Sequence, residues 1–409
     1  MRGATSPDRR SRSTADGSRR DRRLVAECPP VERESACTGC RRRERNGDSL
    51  MEAFGKLAPE AWNLGRRDVA EPRPSAGDAL VRVAACGICG SDLHAAASDP
   101  GFEWISPPVT LGHEFAGVVE AVGPEASGIE AGQHVVATSI QGCLRCDTCR
   151  AGTTNLCADR RIVGLSYDGG LAELTVLPAA QLVPLPADLP LRTAALVEPL
   201  SVAVRATRVH TRIVPGDRVV VSGPGPIGLF SAQLAARAGA EVVVLGVEQD
   251  RSRRLALAER FGLRTATVGE GIDTRVSEAL DGPPDGWIEA SGAGAALLDA
   301  LSTVRRGGAL TLVALYGGEV AVNPTFAVRR ELTFSCSYAS VREDYVRAVN
   351  LLRRGAIEID GLADPFPLGR AHDAFEAARS GEVVKPLVVV DDALARGQPV
   401  DTNTTAPLA

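Results

Sequence analysis

A chain of 409 residues has room for two or three folding units. With 44% hydrophobic and 24% charged residues it can build more than one core, and a net charge of −5 gives no reason to expect a nucleic-acid partner. No stretch reaches the roughly 18 uninterrupted apolar residues of a membrane span. No charged start runs into an apolar core with a small-residue cleavage site, so no secretory leader is expected and the cytoplasm is the expected location.

Residues 1–50 hold 13 Arg, no Lys and many Ser, Asp and Glu, with almost no apolar periodicity. Such a segment cannot bury enough surface to offset its ordering entropy and is read as a disordered extension. It includes Cys37-Thr-Gly-Cys40, a weak metal signal by itself. Met51 opens a globular pattern and is a candidate start of translation. A disordered tail is expected over 392–409.

From Ala79 to about Pro186, short strand candidates are broken by Gly and Pro, among them 79–85, 115–122 and 133–138. This stretch reads as β-rich. Beyond Ala194, apolar strands alternate with helical stretches: 218–222, 228–238, 241–245, 253–261 and 309–315. That alternation predicts a parallel sheet with helices on both faces. Helices over 345–353 and 371–378 and a strand over 385–390 close the pattern.

The ten cysteines are read by spacing. Cys143, Cys146, Cys149 and Cys157 form C-x2-C-x2-C-x7-C, which in a long chain without a leader points to metal rather than disulfides. Four thiolates can wrap one tetrahedral zinc at about 2.3 Å each and leave no open position, so this site is expected to be structural; an iron–sulfur cluster is the rival. Two motifs precede the lobe: Cys86-Gly-Ile-Cys89-Gly-Ser91-Asp92-Leu-His94 and Gly112-His113-Glu114. One Cys, one His and a carboxylate can hold zinc and keep a place for a substrate oxygen. Asp92 is placed to orient His113, and Ser91 and His94 carry groups able to pass a proton to water.

Val219-Val-Val-Ser222-Gly223-Pro-Gly225-Pro226-Ile227-Gly228 follows a strand and opens a helix. Gly223 permits the tight turn, Gly225 lets the backbone approach a pyrophosphate, and Gly228 permits close helix–strand packing. The helix start supplies donors to the phosphate. The acidic residue that normally takes the ribose hydroxyls of NAD is displaced: Gly246 stands near that place, Glu248 lies two residues on, and Arg251, Arg253 and Arg254 follow. Glu248 would select NAD, whereas Gly246 and the arginines would admit the 2′-phosphate of NADP.

These motifs, in this order, resemble the zinc-containing medium-chain dehydrogenase/reductase family over about residues 51–391, closest to its polyol (sorbitol-like) and threonine dehydrogenase branch. The resemblance implies an α/β chain: a GroES-like β-rich catalytic domain over 51–198 and 340–391, with a structural zinc lobe at 142–158, and a Rossmann doubly wound parallel sheet over 199–339. It makes Cys89 the ligand of the first motif and Cys86 a packed thiol. The late Cys used by some relatives is missing, since Cys336 falls in the nucleotide half. Val197-Glu198-Pro199-Leu200 resembles the branch's V/I-E-P-L run. The implied catalytic set is therefore Cys89, His113 and one or both of Glu114 and Glu198.

The implied activity is hydride transfer between a secondary alcohol, polyol or sugar-like, and NAD or NADP, with two zinc ions per chain. Zinc polarises the alcohol oxygen while Ser91 and His94 carry its proton outward. A homo-oligomer, dimer or tetramer, is implied, with no nucleic-acid or membrane partner. Alternatives are a zinc dehydrogenase for threonine, butanediol or a simple alcohol, or a non-catalytic scaffold of the same fold.

Overall fold

The computed structural model describes residues 43–45 and 48–396. The Cys37–Cys40 pair and residues 397–409 lie outside them. The described residues build four apolar clusters on two main sheets, the largest of them spanning both, with a smaller sheet against the first.

The first main sheet runs in the order Leu182–Pro184, His134–Ala137, Glu114–Val122, Asp78–Gly87, Lys385–Val389 and Ala363–Pro367, with Leu174–Pro178 also paired to Asp78–Gly87. Asp78–Gly87 is central and nearly all buried, which suits its run of Val and Ala. It pairs antiparallel with Glu114–Val122, Gly87 opposite Glu114, and antiparallel with Lys385–Val389, Leu387 opposite Gly87. One end of the sheet therefore gathers the residues after Gly87, the start of the Glu114 strand and the start of the Lys385 strand.

The second main sheet is wholly parallel: Arg264–Thr267, Glu241–Gly246, Arg218–Ser222, Gly286–Glu289, Ala309–Leu312 and Thr333–Cys336. In sequence terms that is the order 3-2-1-4-5-6, whose reversal beside the first strand opens a crevice at the strand ends. The helices Val197–Arg205 and Arg342–Arg353 pack on each other where the chain enters and leaves this sheet.

Three expectations are corrected, and one strand is added. The strand Asp48–Lys56 runs through Met51 and pairs with Arg43–Arg45, so ordered structure begins ahead of residue 51. A helical turn at Asp392–Ala395, capped by the Asp391 side chain with Leu394 and Ala395 buried, belongs to the fold and not to a disordered tail. The helix expected at 253–261 is split into a wide π turn, Arg251–Leu255, and a short helix, Ala256–Arg260. The strand Gly286–Glu289 was not anticipated; four residues with a glycine and an acid carry no visible alternation.

Lys56, only 3% exposed, ties the small sheet to the first helix, Gly90–Ala97. Its Nζ donates to Glu60 O (3.0 Å), to Ala96 O (3.2 Å) and to Ser98 Oγ (2.9 Å). Ala96 O is a helix-end carbonyl with no intrahelical partner to come. Replacing Lys56 with Met is expected to lower stability by roughly 2–4 kcal/mol, because buried acceptors lose a charged donor. A chemical-denaturation midpoint equal to the parent's would contradict this role.

Candidate active site

Cys89 caps the start of Gly90–Ala97, and its backbone N–H donates to Asp92 Oδ2 at 2.9 Å. The helix thereby points Cys89, Ser91 and Asp92 at the start of the Glu114 strand. Donor atoms of Cys89, His113 and Glu114 all lie within 4.8 Å of one another, a spacing able to hold a metal ion. His113 is buried, with Nδ1 3.5 Å from Asp92 Oδ1 and Nε2 3.1 Å from Ser91 Oγ. Burial opposes a charge on His113, but the Asp92 carboxylate and the Cys89 thiol outweigh it and raise its pKa well above the ordinary value.

Glu198 stands in the first turn of Val197–Arg205, buried and outside that tight group of three. Burial, and next the Glu114 carboxylate, push its pKa up to about 7. The Tyr345 hydroxyl approaches Glu198 Oε1 at 3.5 Å and accepts from the Ser139 backbone N–H at 2.8 Å. Lys385 is buried, ion-paired with Glu114, and donates to Ile88 O at 2.8 Å, beside Cys89. Burial opposes its charge, yet Glu114 and Cys89 raise its pKa. Gly87 makes room for this pair, since a Cβ there would collide with Glu114 Oε2 and crowd Lys385. Cys86 is fully buried and its thiol is pushed well up by burial, as a packed thiol should be.

The centre thus holds three buried carboxylates, Asp92, Glu114 and Glu198, and a thiol around one buried ammonium. Such a field favours a further cation, and the mixed sulfur, nitrogen and oxygen donors suit zinc. His94, one turn beyond Ser91, hydrogen-bonds through Nδ1 to Asp99 Oδ2 at 2.6 Å and stacks on Phe102 at 5.5 Å, which stacks on Trp104. Ser91 therefore faces the Cys89, His113 and Glu114 group, whereas His94 faces the partly exposed Asp99.

Cys143, Cys146, Cys149 and Cys157 also converge with sulfurs within 4.8 Å. The backbone N–H groups of Cys143, Cys146 and Cys149 point at the sulfurs of Cys157, Cys143 and Cys146, each at 3.4 Å. Amide donors near Arg145 and Cys146 hold the Cys143 thiol down to about 6, while burial and the adjacent thiols push Cys149 up to about 12. Four sulfurs this close cannot all ionise without a cation among them, so the lobe fits a closed zinc site. Asn155 donates to Tyr338 O at 2.7 Å and fastens the lobe to the segment before Arg342–Arg353.

At the crevice of the parallel sheet, Gly223 has φ +92°, and a Cβ there would sit 2.7 Å from the Ser291 backbone. A Cβ on Gly228 would strike Gly223 O, whereas one on Gly225 would meet open space, where a phosphate would lie. Pro226 and Ile227 form the first turn of Pro226–Arg237. Glu289, fully buried, accepts from Ser291 N (2.7 Å), Gly292 N (3.2 Å) and Tyr316 Oη (2.6 Å) and so holds the loop facing Gly223. Glu248 and Arg251 are exposed and paired at 2.9 Å. Arg253 pairs instead with Asp364 at 2.7 Å, and Arg254 reaches Val383 O at 3.4 Å, so both tie the nucleotide half to the other sheet.

Sequence reasoning missed Lys385, Tyr345, Ser139 and Glu289. A signal existed for the first. The chain has 44 Arg but only two Lys, Lys56 and Lys385, and both are buried. A compact ammonium fits where a guanidinium fork does not.

Residues 75–187 match the family described as "Alcohol dehydrogenase GroES-like domain" and residues 226–354 match "Zinc-binding dehydrogenase". D-arabitol-phosphate dehydrogenase of Enterococcus avium is 31% identical, covering 83% of this chain and 97% of its own length. Sorbitol dehydrogenase of Halalkalibacterium halodurans is 32% identical, covering 84% of this chain and 100% of its own. A solved zinc-binding dehydrogenase from Sinorhizobium meliloti, bound to NADP, superposes with a TM-score of 0.76 at 31% identity, covering 84% of this chain and all of that one. Among the described residues no helix is long and apolar enough to cross a membrane. With both halves matched and relatives of this identity aligned almost end to end, the chain belongs to the zinc-binding alcohol dehydrogenase family, oxidoreductases acting on CH–OH groups with a nicotinamide dinucleotide.

Proposed function

We propose that this enzyme oxidises a secondary alcohol flanked by another polar carbon, a polyol or sugar-alcohol, or reduces the corresponding ketone. The observation that carries the reading is the convergence of the Cys89, His113 and Glu114 donors within 4.8 Å, with the buried Asp92 and Glu198 carboxylates nearby, a mixed donor set that suits a metal cation. The relatives' names support the substrate class: sorbitol, arabitol phosphate, threonine and, in a Bacillus subtilis structure of 26% identity, 2R,3R-butanediol all carry such a carbinol.

Zinc bound by Cys89, His113 and one or both carboxylates would supply Lewis-acid polarisation of the alcohol oxygen, and the nicotinamide would take the hydride. Asp92 orients His113. Lys385 neutralises Glu114 and restrains it, which leaves Glu198 the carboxylate with less opposing charge. Ser91 Oγ, already at His113, is the first group able to receive the substrate proton; Asp99 holds His94 to hand it to water. The exposed apolar residues Phe326, Val328 and Phe334, near the edge strand Thr333–Cys336, suit a homo-oligomer.

The parent protein is expected to carry two zinc ions per chain. Cys89→Ala and His113→Ala should each retain one and lose at least about tenfold in turnover, in line with removal of a group needed in the transition state. Either variant keeping more than a tenth of the activity would remove the assignment. Cys146→Ser should lose the other zinc and lower Tm, because a closed metal site contributes folding energy; an unchanged Tm would contradict it.

For the dinucleotide, Gly246 itself carries no acid, the nearby Asp250 carboxylate is taken by the Val247 N–H and Arg254, and Arg251 engages Glu248, so NADP is the expected choice. Its kcat/KM should exceed that with NAD, and Arg251→Ala should lower the NADP value by about five- to tenfold, the size of one exposed charge-assisted contact, with little effect on NAD. A preference for NAD would overturn this.

A further inference from the structure

Three segments line an open pocket of about 500 Å³. They are the end of Val197–Arg205 with the π turn that follows it, the end of Pro226–Arg237, and Arg342–Arg353 with its exit. The floor is apolar: Val204 is buried, and Ile213, Leu234 and Leu351 are half-buried at the margin of the large core. The rim carries four guanidinium groups, Arg208, Arg212, Arg347 and Arg354.

Their charge is not balanced locally. Arg208 lies 3.5 Å from both Glu343 and Asp344, and Arg347 lies 2.7 Å from Glu343. Asp344 also receives the buried Arg205 at 3.3 Å. Two carboxylates thus serve three arginines, and among the described residues neither Arg212 nor Arg354 has a carboxylate within ion-pair distance.

The backbone that presents Arg212 is unusual. Val197–Arg205 widens into a π turn over Ala206–Thr211, and Arg212 ends it at φ +55°, ψ +47°. Wide turns are rare and concentrate at functional sites, and a left-handed non-glycine residue is held there against a conformational cost. Arg212 N still donates to Thr207 O at 3.1 Å, and Thr211 Oγ1 bonds Ala206 O at 3.0 Å and Thr311 Oγ1 at 2.9 Å, so the turn is firmly built.

We propose that this cavity is a second, non-catalytic binding site for a small organic anion, a phosphate monoester or carboxylate with a compact apolar body. The body lies on Val204, Ile213, Leu234 and Leu351, and the anion is taken by Arg212 and Arg354, whose planar forks match its oxygens. The two helices that wall the cavity carry Glu198 and Tyr345 at their other ends, so an occupant braces the packing that holds the Glu198 carboxylate.

Phenyl phosphate is the probe, with inorganic phosphate for comparison, titrated calorimetrically into the full-length enzyme saturated with NADPH so that the dinucleotide phosphate site is filled. One equivalent of phenyl phosphate is expected to bind, inorganic phosphate at least about tenfold more weakly for want of an apolar body. The Arg212→Gln/Arg354→Gln double variant should weaken phenyl phosphate at least tenfold, about 1.4 kcal/mol, with kcat and Tm unchanged, since both side chains are exposed. Leu351→Gln should weaken phenyl phosphate and leave inorganic phosphate as it was. No saturable binding at millimolar probe, or equal affinity in the parent and the double arginine variant, would overturn the proposal. These readouts are independent of turnover, so they stand or fall apart from the assigned reaction.

Discussion

The structure is organised around a charge imbalance buried at one end of an antiparallel sheet. Asp92, Glu114 and Glu198 approach a thiol and an imidazole with Lys385 the one ammonium among them. In low dielectric a carboxylate is costly to ionise: burial first, then the Glu114 carboxylate, push Glu198 up to about 7, while Asp92 and Cys89 outweigh burial at His113 and raise it well above its usual value. A divalent cation would relieve this cost. The surrounding elements keep the groups from relaxing apart: a capped helix holds Cys89 and Asp92, strand pairing sets Gly87 opposite Glu114 and Leu387, and Tyr345 backs Glu198 from the far side.

The two clusters able to hold a metal ion differ in the donors they gather. Four sulfurs in the lobe face one another with backbone amides directed at three of them, which leaves no donor position for a substrate. The Cys89 group has fewer gathered donors and a hydroxyl, Ser91, at its margin. The lobe is nevertheless joined to the surroundings of Glu198 through Asn155 and Tyr338, because the segment it fastens leads into the helix bearing Tyr345. In the nucleotide half, Glu289 plays a comparable part by fixing the Ser291–Gly292 loop against Gly223.

Legibility in the sequence followed the range of each interaction. The four-cysteine lobe is local in the chain, and so are the glycine turn and the Cys89–His94 run, so their spacing alone exposed them. The V-E-P-L run was readable only through resemblance, since nothing local to Glu198 says that Glu114 and His113 lie beside it. The Arg251–Arg254 cluster was read as one unit, whereas Arg253 and Arg254 reach Asp364 and Val383, more than a hundred residues on. Lys385 and Tyr345 sit in an ordinary strand and an ordinary amphipathic helix, and their meaning comes from what stands opposite.

Taken by itself, the amino-acid sequence disclosed the β-rich and parallel-sheet stretches, the four-cysteine spacing and the dinucleotide turn through periodicity, turn chemistry and ligand spacing, all short-range properties of the chain, while the expected set of Cys89, His113 and Glu198 came from family resemblance. Tertiary structure alone decided which carboxylate Lys385 restrains, that Ser91 turns to His113 while His94 turns to Asp99, and that arginines from separate helices rim one cavity. Those outcomes depend on strand register and helix packing between residues far apart in the chain, and burial amplifies each of them by removing the water that would otherwise screen the charges.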